Sequence, residues 1–143
     1  MTMTTMRTAA TAIPESNVLQ LHTDLVTSSG IVDISGSQFQ VTANAALSVA
    51  VAAGRAYLIA SGGNCYPIIN GATITQSVNS NASGNPRITS IVLYQDLSAS
   101  ANSDASNVAK ITAVDGTPAS SPSAPSGATI QSAVGASNPY TVL

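Results

Sequence analysis

The sequence predicts an all-β chain: a small β-sandwich or barrel with a short N-terminal helix and extended terminal arms. Three observations carry that prediction. Leu47, Val49 and Val51 alternate with Ser48, Ala50 and Ala52, the period of a half-buried strand. Asn70-Gly71 sits between Ile68-Ile69 and Ala72-Thr73-Ile74, and Asn-Gly tolerates the positive φ values of a two-residue hairpin turn. Short apolar runs recur between Ser-, Asn-, Gly- and Pro-containing stretches, the spacing of sandwiches and small barrels.

Taken in order, residues 1–13 show no apolar period and read as an N-terminal arm that orders only against a partner. Residues 14–143 read as a single β-rich domain, since 143 residues suit one modest core. Within it, Val18, Leu21, His22 and Leu25 recur at helical spacing behind Pro14 and Glu15, so a short helix is expected over Pro14 to Val26. β signals follow in Ile31 to Ile34, in Gln38 to Thr42 with Phe39 and Val41 on one side, and in Leu47 to Ile59, where Gly54 is expected to mark a bend or bulge. A strong hairpin is expected about Asn70-Gly71.

Val78 to Pro86 reads as a polar loop leading into Arg87 to Tyr94, a strand with apolar residues on both faces. A second polar loop, Ser98 to Asn107, precedes the alternating run Val108 to Val114, which stops at Asp115-Gly116. Residues 117–125 hold three prolines and are expected to be extended without ladder donors at those positions. From Gly127 onward the apolar signal is weak until Tyr140-Thr141-Val142-Leu143, an incipient strand that should pair with something or run on into further chain.

Composition excludes several classes. Charged residues make up 7% of the chain, against about 25% in an average soluble domain, so Ser, Thr, Asn and Gln must supply the polar surface. Arg7, Arg55, Arg87 and Lys110 do not cluster and the net charge is -2, so the cationic face that nucleic-acid binding requires is missing. No run approaches the roughly 20 apolar residues of a membrane span, and the first residues lack the apolar stretch of a secretory signal. Cys65 is the one cysteine and has no intrachain partner for a disulfide.

The candidates for chemistry are few. His22 is the one histidine, and no serine sits in a nucleophile elbow, so a buried helix histidine is the expected role. Cys65 would need a base to become a nucleophile and reads as a small buried thiol. Asn102, Asp104 and Asn107 crowd oxygens into one loop, yet they lack the carboxylates, glycine and closing glutamate of a calcium loop and read as a solvated turn. Asp33 and Asp115 have no acid partner in sequence and stand beside turn residues as backbone caps. Arg55 and Arg87 are expected to pack their stems and pair locally. Asn81-Ala82-Ser83 matches a glycosylation sequon, a triplet that arises readily in an Asn- and Ser-rich chain. The expectation is therefore a non-enzyme with no catalytic, cofactor-binding or metal residues.

Leu-Ser-Val-Ala-Val-Ala-Ala-Gly-Arg-Ala-Tyr-Leu-Ile at Leu47 to Ile59 resembles a signature of tail-fibre and baseplate proteins of tailed bacteriophages. Two further blocks stand in that family's order: Asn85-Pro86-Arg87-Ile88 before an apolar strand, and Val114-Asp115-Gly116-Thr117-Pro118-Ala119 running into the proline-rich stretch. Thr89 stands where the family often has an acid, so the resemblance carries over no ion pair between Arg87 and that position. It covers Gly30 to Pro125 and then Tyr140 to Leu143. It implies a virion structural protein of the host-attachment apparatus, made in the bacterial cytoplasm, assembled with itself as a trimer or ring and with other virion proteins, and without catalytic residues.

The residues themselves point to assembly. Solitary β proteins protect exposed strand edges with Lys, Glu or inward charges, and the expected strands here hold little beyond Arg55, Arg87 and Lys110. The expectation is that other subunits cover those edges, with the N-terminal arm and the segment near Leu143 as covering elements. A carbohydrate-binding (receptor-binding) module and a capsid decoration protein are the alternatives. The former is disfavoured because five aromatics, Phe39, Tyr57, Tyr66, Tyr94 and Tyr140, and no Trp make a flat stacking platform hard to build.

Overall fold

A computed structural model describes residues 26, 28–32, 36–99 and 108–143. The expected arm over residues 1–13, nearly all of the expected helix from Pro14 to Val26, His22, Asp33, and the Asn102, Asp104 and Asn107 loop lie outside the described residues.

Among the described residues nine strands and one helix form: β1 (Gly30–Ile31), β2 (Val41–Ala43), β3 (Ser48–Val51), β4 (Gly54–Ile59), β5 (Cys65–Asn70), β6 (Ile74–Ser77), β7 (Thr89–Gln95), β8 (Ala109–Asp115), α1 (Gly127–Val134) and β9 (Tyr140–Val142). They make three antiparallel sheets of three strands, in the orders β1-β4-β5, β2-β3-β6 and β8-β7-β9. The chain is mostly β, with one short helix among the described residues.

The Asn70-Gly71 hairpin does not form. β5 pairs with β4 and β6 with β3, so the two strands flanking Asn70-Gly71 belong to different sheets. Between the pairs Val51↔Ile74 and Gly54↔Asn70, one side spends Ala52 and Ala53 while the other spends Gly71, Ala72 and Thr73. The extra residue bends the ribbon, as a bulge does, and turns it from one sheet into the next. Asn70 secures this corner by donating from Nδ2 to Ala52 O at 3.1 Å. The true hairpin joins β4 to β5 through Ser61-Gly62-Gly63. There Gly63 N–H donates to Ala60 O and Ala60 N–H to Asn64 O, both at 2.9 Å, and Gly63 takes φ 86°. A three-residue loop with glycine in the left-handed region is a common hairpin solution.

Gly54 is required by a close approach. An added Cβ would lie 2.6 Å from both Phe39 Cδ2 and Phe39 N. Phe39 does not lie in a strand. It occupies a turn at φ 52° with its ring buried, so the strand expected over Gln38 to Thr42 shortens to β2.

β7 is the centre of the third sheet and is buried on both faces as expected, with Ile91, Val92 and Leu93 nearly inaccessible. Ile91 and Leu93 join Phe39, Val51, Ala56, Leu58 and Ile68 in the main core, so all three sheets contribute to one apolar interior. Val92 and Val114 point the other way, against Ile130 and Val134 of α1. Burying each such side chain is worth about 1.5–3 kcal/mol.

The helix over Gly127–Val134 has no counterpart among the expected elements. Ser126 caps it by accepting Thr129 N–H at 3.1 Å, and Gly135 follows its last turn at φ 108°. Ser before and Gly after the pair Ile130/Val134, one helical turn apart, is a start-and-stop pattern. The segment near Leu143 finds its partner within the chain: β9 pairs with β7, and Leu143 N–H donates to Ile91 O at 2.9 Å.

Candidate functional site

One polar cluster joins two of the sequence blocks. In the β7–β8 register Thr89 lies opposite Asp115, and Arg87 stands just before β7. Asp115 Oδ1 lies 3.2 Å from Arg87 Nη2 and accepts Thr89 Oγ1 at 2.7 Å, while Asp115 Oδ2 accepts Asn79 Nδ2 at 2.8 Å. Arg87 also donates from Nη2 to Asn79 O at 2.7 Å and from Nη1 to Ser80 O at 3.4 Å. Partial burial pushes the Asp115 carboxyl up, but the Asn79 and Thr89 hydrogen bonds and the Arg87 charge outweigh it and hold the group below its ordinary value. Asp115 is thus the hub of a side-chain network and not a turn cap. Arg87 pairs locally as expected, though its acid comes from across the hairpin.

The backbone closes the same junction. Gly116 N–H donates to Ile88 O at 2.8 Å and Ala119 N–H to Pro86 O at 3.1 Å. A Cβ on Gly116 would meet Ser123 O at 2.5 Å and Ile88 O at 2.8 Å, so the proline-rich segment packs directly on this glycine.

A second cluster lies at the other end of β7. Asp96 Oδ2 accepts Lys110 Nζ at 2.6 Å, and Asp96 Oδ1 accepts Ser98 Oγ at 2.6 Å and Ser98 N–H at 3.0 Å. The Lys110 bond, then the two from Ser98, hold the Asp96 carboxyl well below the usual range, and the same pair raises Lys110. Asp96 and Ser98 are not among the residues expected to carry chemistry, although Asp-x-Ser after a strand is a turn signal.

Beside this cluster an open cleft of about 490 Å³ is lined by Tyr94, Asp96, Ser98, Val134, Ser137 and Asn138, among others. The Asp96, Ser98 and Asn138 side chains in it are engaged within the chain. Asn138 accepts Leu97 N–H through Oδ1 and donates to Val134 O through Nδ2, and Tyr94 packs on the Val92–Val134 cluster. A smaller cleft of about 180 Å³ lies between Ile59, Ser61 and the Ala136–Tyr140 segment.

The remaining candidates stay apart. Cys65 is a fully buried thiol, as expected, and burial raises its pKa, which disfavours the thiolate. Arg55 is exposed on β4. Among the described residues no three His, Cys, Asp or Glu side chains gather as a metal site. No helix among them is long and apolar enough to cross a membrane.

The chain matches no protein-family model, no curated protein and no solved structure.

Proposed function

We propose that this chain is a virion structural protein of a bacteriophage tail, baseplate or tail fibre, which works by assembling with copies of itself and with other virion proteins in the host-attachment apparatus. On this reading it is made in the host cytoplasm, has no catalytic role, and its sheets close as a small sandwich. The observation that carries the proposal is the state of the strand edges. Seven of the nine strands among the described residues hold no charged residue, and those on β8, Lys110 and Asp115, are tied to Asp96 and Arg87. The outer edge of β2 presents the backbone groups of Val41 and Ala43, because Asn44 N–H to Ser48 O and Ala52 N–H to Gln40 O set the alternate residues towards β3. That edge carries none of the charges that discourage strand addition, so it is suited to a neighbouring subunit. β5 is the exception. Pro67 opposes Tyr57 at a position whose nitrogen faces away from β4, so the β5 edge lacks a donor there.

The sequence blocks support the same reading, because the Arg87–Asp115 pair ties the second block to the third. Light scattering and electron microscopy of the purified chain test it: trimers, rings or filaments are expected. A stable monomer that binds glycans on an array would replace it with the carbohydrate-binding alternative, centred on the Tyr94 cleft.

A further inference from the structure

Two dipeptides in the chain place glycine after an Asx residue, Asn70-Gly71 and Asp115-Gly116. This order favours attack of the glycine nitrogen on the preceding side-chain carbonyl, because no glycine side chain obstructs the five-membered ring that forms. The structure treats the two very differently.

At Asp115-Gly116 every requirement for that attack is blocked. The Gly116 N–H is donated to Ile88 O, the Asp115 carboxylate is held by Arg87, Thr89 and Asn79, and neighbouring backbone oxygens leave no room at Gly116 for rearrangement. At Asn70-Gly71 the nucleophile is free. Gly71 is exposed, its N–H makes no hydrogen bond to any described residue, and nothing lies within 4 Å of an added Cβ. The electrophile is oriented, since Asn70 Oδ1 accepts Ala72 N–H at 3.4 Å. That long bond falls on the oxygen where negative charge develops during attack.

We propose that Asn70 is a site of spontaneous deamidation in the folded protein, and that the reaction rewrites the corner between the first two sheets. The Gly71 nitrogen gives its proton to solvent base and bonds to Asn70 Cγ. The Cγ–Nδ2 bond breaks and ammonia departs with a proton from solvent. Water then adds to either carbonyl of the resulting succinimide and cleaves one ring C–N bond, leaving aspartate or isoaspartate with no change of oxidation state. Either product loses the Nδ2 donor that holds Ala52 O, and the aspartate product also places a carboxylate against that carbonyl. Isoaspartate also lengthens the backbone by one carbon at the point where three residues already face two. The corner of an otherwise charge-poor ribbon thereby gains a charge and loses its tie.

The test incubates the intact, folded chain in mildly alkaline buffer and follows each Asx peptide by mass spectrometry and isoaspartate labelling. The expected result is conversion at Asn70 about tenfold or more ahead of Asn79 and Asn81, with no isoaspartate at Asp115 until denaturant is added. Gly71→Ala, whose new methyl meets open space, folds normally and slows conversion about tenfold or more. Conversion at Asn70 no faster than at Asn79, or a rate in the native protein far below that in denaturant, overturns the proposal by showing that the bonds to Ala52 and Ala72 shield the amide.

Discussion

Arg87 Nη2 stands 3.2 Å from Asp115 Oδ1, and this pair fastens the chain entering β7 to the end of β8. Both side chains are mostly buried, at 12% and 23% exposure, so the pair is shielded from solvent more than an ordinary surface ion pair. Around it the Asn79 to Arg87 loop and the proline-rich segment after Gly116 are tied by side-chain and backbone hydrogen bonds.

Asp115→Ala should therefore destabilise the protein by about 2 kcal/mol, because it removes an acceptor shared by three donors and leaves Arg87 without its acid. Urea unfolding measures this through the midpoint. In a double-mutant cycle, Asp115→Ala and Arg87→Ala should be non-additive, since each alone already breaks the contact. Additive losses would show that the two side chains act separately.

The same groups set an acid limit. Asp96 and Asp115 both have folded pKa values below the ordinary 3.8. A depressed carboxyl contributes stability that is present above the unfolded value and is lost as pH falls through the folded one. Stability should hold from neutral pH to just above 3.8 and then decline with acidification. Lys110 acts oppositely: its raised pKa stabilises below 10.5, and the contribution disappears as pH rises through the folded value. Thermal melts across both limits check this, and Asp96→Asn should weaken the dependence at each end.

Gly54→Ala should cost about 2–4 kcal/mol, because the methyl would be driven 2.6 Å from the Phe39 backbone nitrogen as well as from its ring. Backbone cannot step aside as a flexible side chain can. Phe39→Ala would open a cavity without relieving the left-handed φ at that position, so it should cost about 3–5 kcal/mol. Melting temperatures of the two variants measure both effects. A neutral Gly54→Ala would show that the turn carrying Phe39 shifts freely.

Local patterning made the strands legible but not their partners. The runs ending at Val51, Tyr94 and Val114 were readable because alternation and apolar content are properties of a few consecutive residues. Asn70-Gly71 misled for the same reason. Neither Asn70 nor Gly71 takes a positive φ at this corner, and the choice between corner and hairpin depends on Ala52, 18 residues away. Ser61-Gly62-Gly63 was the better hairpin signal, since Gly63 supplies the left-handed residue that a three-residue loop needs. The helix after Ser126 was missed because its apolar face is only Ile130 and Val134, too narrow to stand out by period. Asp115 could be read as a cap because Thr89 and Arg87 reach it only through the β7–β8 register.

The last four residues provide the sharpest test of how the third sheet is held. Tyr140 to Val142 cover one edge of β7, and Leu143 packs among the main-core residues while its N–H bonds to Ile91 O. Deleting residues 140–143 uncovers the edge of the most buried strand and removes apolar contacts from both faces, since Tyr140 packs on the α1 side. A loss of about 3 kcal/mol or more is expected, together with concentration-dependent association through the freed edge. Val142→Thr, at an exposed position on the same strand, should change stability by no more than about 0.5 kcal/mol. Urea unfolding and light scattering of both variants separate the contributions. If the deletion leaves the midpoint unchanged, β9 is a passenger on β7; if it lowers the midpoint without association, the β7 edge is guarded by something other than β9.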